Sequence, residues 1–309
     1  MTRILVTGGA GFIGSHLVDR LMADEFDVVV LDNFYRGKLE NIISHLSKHN
    51  FYLVKGDVRK KTDVKKALKD VNYVFHLAAV VDVETSIKNP ILVNNVNING
   101  TLNVLEESLK FNVDKFVYIS SCSVYGEPIY LPIDEEHPTR PISPYGVTKL
   151  AAESYCKVFY RLYGLKTTSL RLFNVYGPRQ RGEDYASVIT KFVEKLKCGQ
   201  PPVIFGDGKQ TRDFVNIKDI IEALVSVLKC EQCIGEVFNI GSGVETSVNE
   251  LAKKLINIFG LQIKPLYLNP RAGDIRRSCA DINKAKSFFR FKATVSLDSG
   301  LNMLIKGRI

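Results

Sequence analysis

No run of apolar residues in the 309-residue chain approaches the ~18–20 that a membrane-crossing helix needs. The opening MTRILVTGG enters a strand and a glycine loop directly, without an apolar h-region or a small-residue cleavage site, so no signal peptide is expected. Acidic residues are the minority: 33 against 42 basic, a net charge of +9. The basic clusters are short (Lys60-Lys61, Lys65-Lys66, Lys253-Lys254, Arg276-Arg277), and none is interleaved with aromatics. That argues against a nucleic-acid surface and leaves a scattered solvated excess or an anionic small substrate.

Cysteine is sparse: Cys122, Cys156, Cys198, Cys230, Cys233 and Cys279. With no secretion signal, these read as reduced thiols of a cytoplasmic protein. Cys230 and Cys233 form a lone CxxC. It lacks the second pair a zinc site needs and a thioredoxin-like setting, so the two read as structural residues. His45 and His49 have zincin spacing, but the acid of HExxH is missing between them, and they read as a polar surface pair. No metal is expected.

What remains is an ordinary globular composition, 45% hydrophobic and 24% charged, in a chain long enough for one large or two modest domains. Its first half alternates strands and helices. Strands are expected at Ile4–Val6, Val28–Leu31, Phe51–Val54, Tyr73–His76, Lys115–Ile119 and Thr167–Leu170. Helices are expected at about Phe12–Met22, from Pro90 through Val104 to Phe111, and at Tyr145–Tyr163, the last with Ala151, Ala152, Tyr155 and Val158 on one face. Such βαβα alternation means a parallel sheet covered by helices on both faces. After about Arg171 loops lengthen and helices shorten, which suggests a smaller α/β unit. Strand-like Phe214–Ile217 and Val237–Ile240 are candidates to rejoin the first sheet.

Thr7-Gly8-Gly9-Ala10-Gly11-Phe12-Ile13-Gly14 follows a strand and opens a helix. Gly8 suits the tight turn, Gly11 the approach of a pyrophosphate to the backbone, and Gly14 close helix–strand packing. The pyrophosphate then meets free N–H groups and the positive end of the helix dipole. Asp32 closes the second strand 18 residues past Gly14, where a carboxylate accepts from both adenosine ribose hydroxyls and repels a 2′-phosphate. NAD is therefore favoured over NADP, although nearby Arg36 is suited to a phosphate. Asp57 follows the third strand and suits either the adenine amino group or a helix N-cap. Leu77, Ala78 and Ala79 end the fourth strand with small residues that leave room for the cofactor. The expected fold is thus α/β, a Rossmann-like doubly wound parallel sheet over residues 1–171, with 213–240 rejoining it, and a smaller C-terminal α/β domain over 172–309.

Tyr145 and Lys149 form YxxxK at a helix start, one turn apart on one face. A free phenol, with a pKa of about 10, is a poor base at neutral pH. An adjacent ammonium and a positive nicotinamide ring both favour phenolate, which tunes Tyr145 for general-base work. The strand before it ends in hydroxyls, Ser120-Ser121-Cys122-Ser123. One of them can hydrogen-bond a reacting sugar oxygen; alternatively they cap the strand end.

On these residues the chain resembles the extended short-chain dehydrogenase/reductase family, and within it the nucleotide-sugar 4-epimerases of UDP-glucose 4-epimerase type. Nearly the whole chain takes part: TGGAGFIGSHL, Asp32-Asn33, His76-Leu-Ala-Ala79, Asn97-Ile-Asn-Gly-Thr101, SSCSVYGE, SPYGVTK, Arg171-Leu-Phe-Asn-Val-Tyr-Gly-Pro178, Phe205-Gly-Asp-Gly, Thr211-Arg-Asp-Phe-Val and Arg271-Ala-Gly-Asp274. The resemblance implies an NAD-dependent 4-epimerase of a UDP-hexose. Ser121, Tyr145 and Lys149 are then catalytic, Tyr145 as acid/base and Lys149 as holder of the nicotinamide ribose. It implies cofactor contacts from Gly8, Gly11, Phe12, Ile13, Gly14, Asp32, Asn33, Asp57, Val58, Leu77, Ala78, Ala79 and Asn97. On the substrate side it implies Val81, Ser123, Val188 and Ser278 along the sugar-nucleotide, Asn174 and Arg212 at the phosphates, Val203 and Phe205 along the uracil, and Arg271 and Asp274 at the nucleotide end. It also implies a homodimer built on helices near Pro90–Phe111 and Tyr145–Tyr163.

One departure separates reactions. Similar 4,6-dehydratases carry Asp-Glu at the positions of Cys122-Ser123, and similar decarboxylases and mannose dehydratases carry Glu at Ser123. This chain has no carboxylate there, which favours epimerisation. The small Ser278 leaves room for a C2 N-acetyl group and favours UDP-N-acetylglucosamine/UDP-N-acetylgalactosamine, with UDP-glucose/UDP-galactose as a further pair. Tyr185-Ala-Ser-Val-Ile189 is similar to the N-acetylhexosamine group as well. Arg181 supports the alternative of a UDP-glucuronate 4-epimerase. A dehydratase or decarboxylase, and a dinucleotide-sensing or RNA-binding protein that has lost catalysis, are the remaining readings. The retained Tyr145 and Lys149 argue against the last.

Overall fold

A computed structural model describes residues 2–180, 187–270 and 275–307. Its strands, in chain order, are β1 (Arg3–Thr7), β2 (Asp27–Asp32), β3 (Phe51–Lys55), β4 (Tyr73–His76), β5 (Lys115–Ser121), β6 (Thr167–Leu172), β7 (Asn174–Tyr176), β8 (Val203–Phe205), β9 (Thr211–Asn216), β10 (Val237–Ile240), β11 (Glu245–Ser247) and β12 (Leu266–Leu268). Seven of them form one parallel sheet in the order β10-β6-β5-β4-β1-β2-β3. The order reverses between β1 and β4. In an open sheet of this kind a crevice opens there, beyond the carboxyl ends of the strands.

The strands inside the edge strand β3 are buried on both faces, as helix-covered parallel strands must be. Ile4 and Val6 point into one core with the helices Phe12–Ala23 and Ile217–Leu228. Leu5, between them, points into the other, with Lys61–Ala67, Gly100–Lys110 and Pro144–Tyr163. This alternation is the doubly wound, Rossmann-like architecture that the sequence predicts. A third core joins Tyr176, Phe192, Ile204, Phe214, Leu251 and Leu301 beneath a three-stranded sheet (β11-β9-β7) and a two-stranded one (β12-β8).

Four expectations need correction. Of the two strands expected to rejoin the main sheet, Val237–Ile240 does so beside β6, but Phe214–Asn216 belongs to β9, between β7 and β11. Ile217 instead starts a helix, because the Asn216 side chain accepts from the Lys218 N–H at 3.0 Å and caps it. In helix Pro144–Tyr163 the buried face is Ala152, Cys156 and Phe159, whereas Tyr155 and Val158 stand 39% and 41% exposed; the helix is apolar on two faces, and periodicity does not say which one meets the sheet. His45 is buried rather than on the surface, with Nε2 2.7 Å from Asp19 Oδ1 and its ring against Phe51; His49 is exposed. Cys230 and Cys233, expected as free thiols, are joined by a disulfide, their Cα atoms brought within 5.4 Å by the 3₁₀ turn Glu231–Cys233.

Among the described residues no helix is long and apolar enough to cross a membrane, and no group of three or more His, Cys, Asp or Glu is placed to hold a metal ion.

Candidate active site

A cavity of about 610 Å³ opens at the reversal point of the sheet, lined at one end by the glycine loop and Asp32 and at the other by Ser121, Tyr145 and Lys149. The loop's glycines are fixed by contact. Gly8 has φ +71°, and a β-carbon there would meet Ala78 N at 2.9 Å. A β-carbon on Gly14 would lie 2.2 Å from Gly8 O. The helix that follows starts at Gly11 with no side-chain cap, so its first N–H groups are left for an anion in the cavity. Phe12 and Ile13 line this wall with Gly11 and Gly14.

Asp32 is 7% exposed, and burial raises its pKa from the ordinary carboxylate value. Its Oδ2 accepts from Ala10 N at 2.9 Å and its Oδ1 from Phe34 N at 2.8 Å. One acceptor position remains on each oxygen, which fits the two hydroxyls of a ribose. Asp57 is differently placed. Both its oxygens are engaged by the Arg59 backbone and guanidinium and by Asn33 Nδ2, at 2.7–2.9 Å. The Arg59 contact holds its pKa down at about 2. Four hydrogen bonds fill a carboxylate, so an adenine amino group would have to displace one of them. Asp57 does not cap the next helix, whose N-cap is Lys60. Val58, Leu77, Ala78, Ala79 and Val81 also line the cavity.

Beneath this floor runs a chain of hydrogen bonds that the sequence reading missed. Thr7 Oγ1 accepts from Leu77 N and Ala78 N, at 3.2 and 3.1 Å, so its own proton goes to His76 Nδ1, 2.7 Å away. Thr101 donates to Asn97 O at 2.6 Å and therefore accepts from His76 Nε2 at 2.9 Å. His76 is thus neutral with its proton on Nε2, and burial pushes its pKa down to about 3. Asn97 sits in a π-helical turn, Asn95–Asn99, inside the expected long helix. It is 1% exposed and lies behind the cavity wall. Its amide bonds to both polar groups of the Val80 backbone and to Thr148 Oγ1, at 2.8–3.0 Å, so it braces the wall.

At the reaction end, Ser143 caps helix Pro144–Tyr163 by accepting from Gly146 N at 3.1 Å, with Pro144 in the first turn. This presents Tyr145 and Lys149 one turn apart, 7% and 3% exposed. β5 ends at Ser121, which lines the cavity together with Tyr145 and accepts from Ser123 N at 3.2 Å. Lys149 Nζ donates to Ile119 O at 2.7 Å and lies 5.1 Å from the Tyr118 ring centroid. Burial pushes Lys149 down to about 7. Burial also pushes Tyr145 up, with only the neighbouring Ser121 hydroxyl opposing it. The expected lowering of Tyr145 by Lys149 is therefore not what the protein alone displays: removal from water sets the direction, and Lys149 contributes no opposing shift.

Asn174 lines the cavity beside Arg179 and Gln180, two residues the sequence reading passed over because they belong to an irregular loop. Ser123, Val188, Val203, Phe205, Arg212 and Ser278 lie outside that lining. The Ser123 hydroxyl is buried without a hydrogen-bond partner among the described residues. Arg212 donates to Thr211 O and Ile275 O at 2.7 and 2.6 Å. Val203 and Phe205 bound β8, Val188 starts helix Val188–Lys197, and Ser278 is buried. Arg181, Arg271 and Asp274 fall outside the described residues.

Comparison with known proteins places this geometry. The profile of the NAD-dependent epimerase/dehydratase family matches residues 4–241. The chain belongs to that family. A UDP-glucose 4-epimerase of Mycolicibacterium smegmatis is 39% identical over 302 residues, 97% of this chain and 96% of that one. The crystal structure of a Thermotoga maritima UDP-glucose 4-epimerase with UDP-glucose superposes with a TM-score of 0.94 at 40% identity, over 99% of this chain and 98% of that one. The UDP-N-acetylglucosamine 4-epimerase of Methanobrevibacter ruminantium, solved with UDP-N-acetylmuramic acid, gives 0.94 at 37% identity, over 99% and 97%. The glycine loop, the uncapped helix start and the two open acceptor positions of Asp32 are what an NAD-dependent member of the family needs to hold its cofactor.

Proposed function

We propose that the protein is a UDP-hexose 4-epimerase, with UDP-N-acetylglucosamine/UDP-N-acetylgalactosamine as its main substrate pair and UDP-glucose/UDP-galactose as a further one. The observation that carries the reaction is the meeting of Ser121, Tyr145 and Lys149 at the end of the dinucleotide cavity, with Cys122-Ser123 where elimination would require a carboxylate. The small, buried Ser278 supports the N-acetyl sugar.

NAD, when bound, supplies a hydride acceptor and donor at C4 and a positive ring charge that opposes the burial of a Tyr145 phenolate. Tyr145 takes the proton of the sugar 4-hydroxyl and later returns it to the same oxygen. Ser121, in the same cavity lining as Tyr145, orients that oxygen. Lys149, pinned to Ile119 O, stands beside the pair. Between the two half-reactions the 4-keto sugar turns about its diphosphate link, which needs a firm anchor at the phosphates and slack at the sugar. Arg212 and Arg271 suit the anchor.

In this reading residues 1–171 hold NAD and 172–309 the nucleotide sugar, and the enzyme works in the cytoplasm as a homodimer. The exposed apolar Ile87, Ile91, Val147, Tyr155, Val158 and Leu162, on neighbouring helices, support the dimer.

The test is incubation of the purified protein with UDP-N-acetylglucosamine, UDP-glucose and UDP-glucuronate separately, following C4 inversion by proton NMR without added cofactor. Inversion of UDP-N-acetylglucosamine is expected. Inversion of UDP-glucuronate alone would promote Arg181 to a substrate ligand. A 4-keto-6-deoxy sugar or a pentose would overturn the epimerase reading.

A further inference from the structure

Helix Pro144–Tyr163 carries a third polar residue on its inner face. Glu153 follows Tyr145 and Lys149 at the same four-residue spacing and is 5% exposed. Its carboxylate grips two strands. Oε2 accepts from Ser120 Oγ at 2.7 Å, and Arg171 of β6 donates to both oxygens, Nε to Oε2 at 3.0 Å and NH2 to Oε1 at 2.6 Å. Ser120 and Arg171 are register partners in the sheet, so their side chains leave the same face together.

Arg171, 6% exposed, has a second hold. Its NH1 donates to Tyr125 OH at 2.7 Å and to Glu135 O at 3.2 Å, and its guanidinium carbon lies 4.8 Å from the Tyr125 ring centroid. Tyr125 OH in turn donates to Asn239 Oδ1 of β10 at 2.7 Å. The segment between these anchors is Ser121 and the 3₁₀ turn Cys122–Val124. One buried ion pair therefore holds both ends of the segment that bears Ser121, and ties it to the helix that bears Tyr145.

We propose that Glu153 and Arg171 are positioning residues, whose ion pair sets the Ser121–Tyr145 geometry by clamping Ser120 on one side of Ser121 and Tyr125 on the other. Stability alone gives a weak reason for the pair, since a buried ion pair is often replaceable by apolar residues of similar volume at no cost. A clamp needs the fork of an arginine. An ammonium can neutralise Glu153 but cannot reach both oxygens and Tyr125 together. The inference rests on reading Ser121 and Tyr145 as the proton-transferring pair.

The test is Arg171→Lys in the full chain, assayed for C4 inversion with UDP-N-acetylglucosamine or whichever UDP-sugar the wild type inverts. The expected result is a kcat at least ~10-fold lower with KM within ~2-fold, wild-type NAD content and little change in melting, because a misplaced reacting group loses rate rather than binding. Tyr125→Phe, which removes only the far anchor, is expected to lower kcat by ~3–10-fold with the same unchanged KM, and it carries the test if the lysine variant does not fold. Wild-type kcat in both folded variants would overturn the clamp. So would a loss of NAD and melting temperature in step with activity, which marks a merely structural pair. Tyr145→Phe run alongside separates the failures: full activity there would overturn the acid/base reading itself.

Discussion

The ammonium of Lys149 donates to the main-chain carbonyl of Ile119 across 2.7 Å, two residues before Ser121 and one helical turn after Tyr145. Strand end and helix start are thereby fixed to each other at the place where a sugar hydroxyl must be held. The account expects Tyr145→Phe to lower kcat by ~10²–10⁴-fold, the usual loss of a general acid/base, with melting nearly unchanged. Proton NMR of C4 inversion checks it, and wild-type turnover would contradict it.

The glycine loop leaves no space for a side chain at Gly14. The β-carbon of Gly14→Ala would stand 2.2 Å from Gly8 O, backbone against backbone, and neither side can rotate away. The expected outcome is a loss of ~1–3 kcal/mol, typical of overpacking, together with loss of co-purifying NAD. Urea unfolding and assay of acid-released nucleotide measure the two. A variant that kept a full complement of NAD would contradict the role given to the loop.

His76 gives stability a pH dependence of known sign. In the folded protein it stays neutral down to about 3, whereas an ordinary imidazole charges near 6.5. Between those values the unfolded chain binds the extra proton, so stability is lost as pH falls from 6.5 toward 3. His76→Gln keeps an acceptor for Thr7 and a donor for Thr101 but cannot charge. Its deficit against the wild type should therefore narrow from pH 7 to pH 4.5 in urea unfolding. A constant deficit would contradict the neutral, Nε2-protonated assignment.

Ser278→Tyr tests the sugar assignment. A large ring at this buried position fills the space assigned to the N-acetyl group. Turnover of UDP-N-acetylglucosamine should fall by ~10²-fold or more while UDP-glucose is still inverted, a difference set by shape in one pocket. Equal effects on both sugars would show that residue 278 does not face C2.

Much of this was legible in the chain. The strands of the parallel sheet announce themselves as short β-branched runs, and the glycine loop, Asp32 and YxxxK are local patterns whose geometry follows from one strand or one helix turn. What stayed hidden depends on partners distant in sequence. The tautomer of His76 is set by Thr7 and Thr101, 69 and 25 residues away. Helix Pro144–Tyr163 is apolar on two faces, and only the sheet decides that Cys156 goes in and Tyr155 out. Three-residue strands such as β7 and β11 have too little pattern to reveal their pairing with β9, so β9 looked like a strand of the main sheet. The Glu153–Arg171 pair spans 18 residues and two elements, and neither residue alone signals it.

The central claim is that C4 is inverted by hydride removal and return within one site. UDP-N-acetylglucosamine deuterated at C4, incubated with the purified enzyme in ordinary water without added cofactor, tests it directly. The account predicts both epimers at equilibrium with deuterium still at C4. Inversion with loss of that deuterium to water, or inversion that waits on added NAD and leaves free NADH, would contradict it.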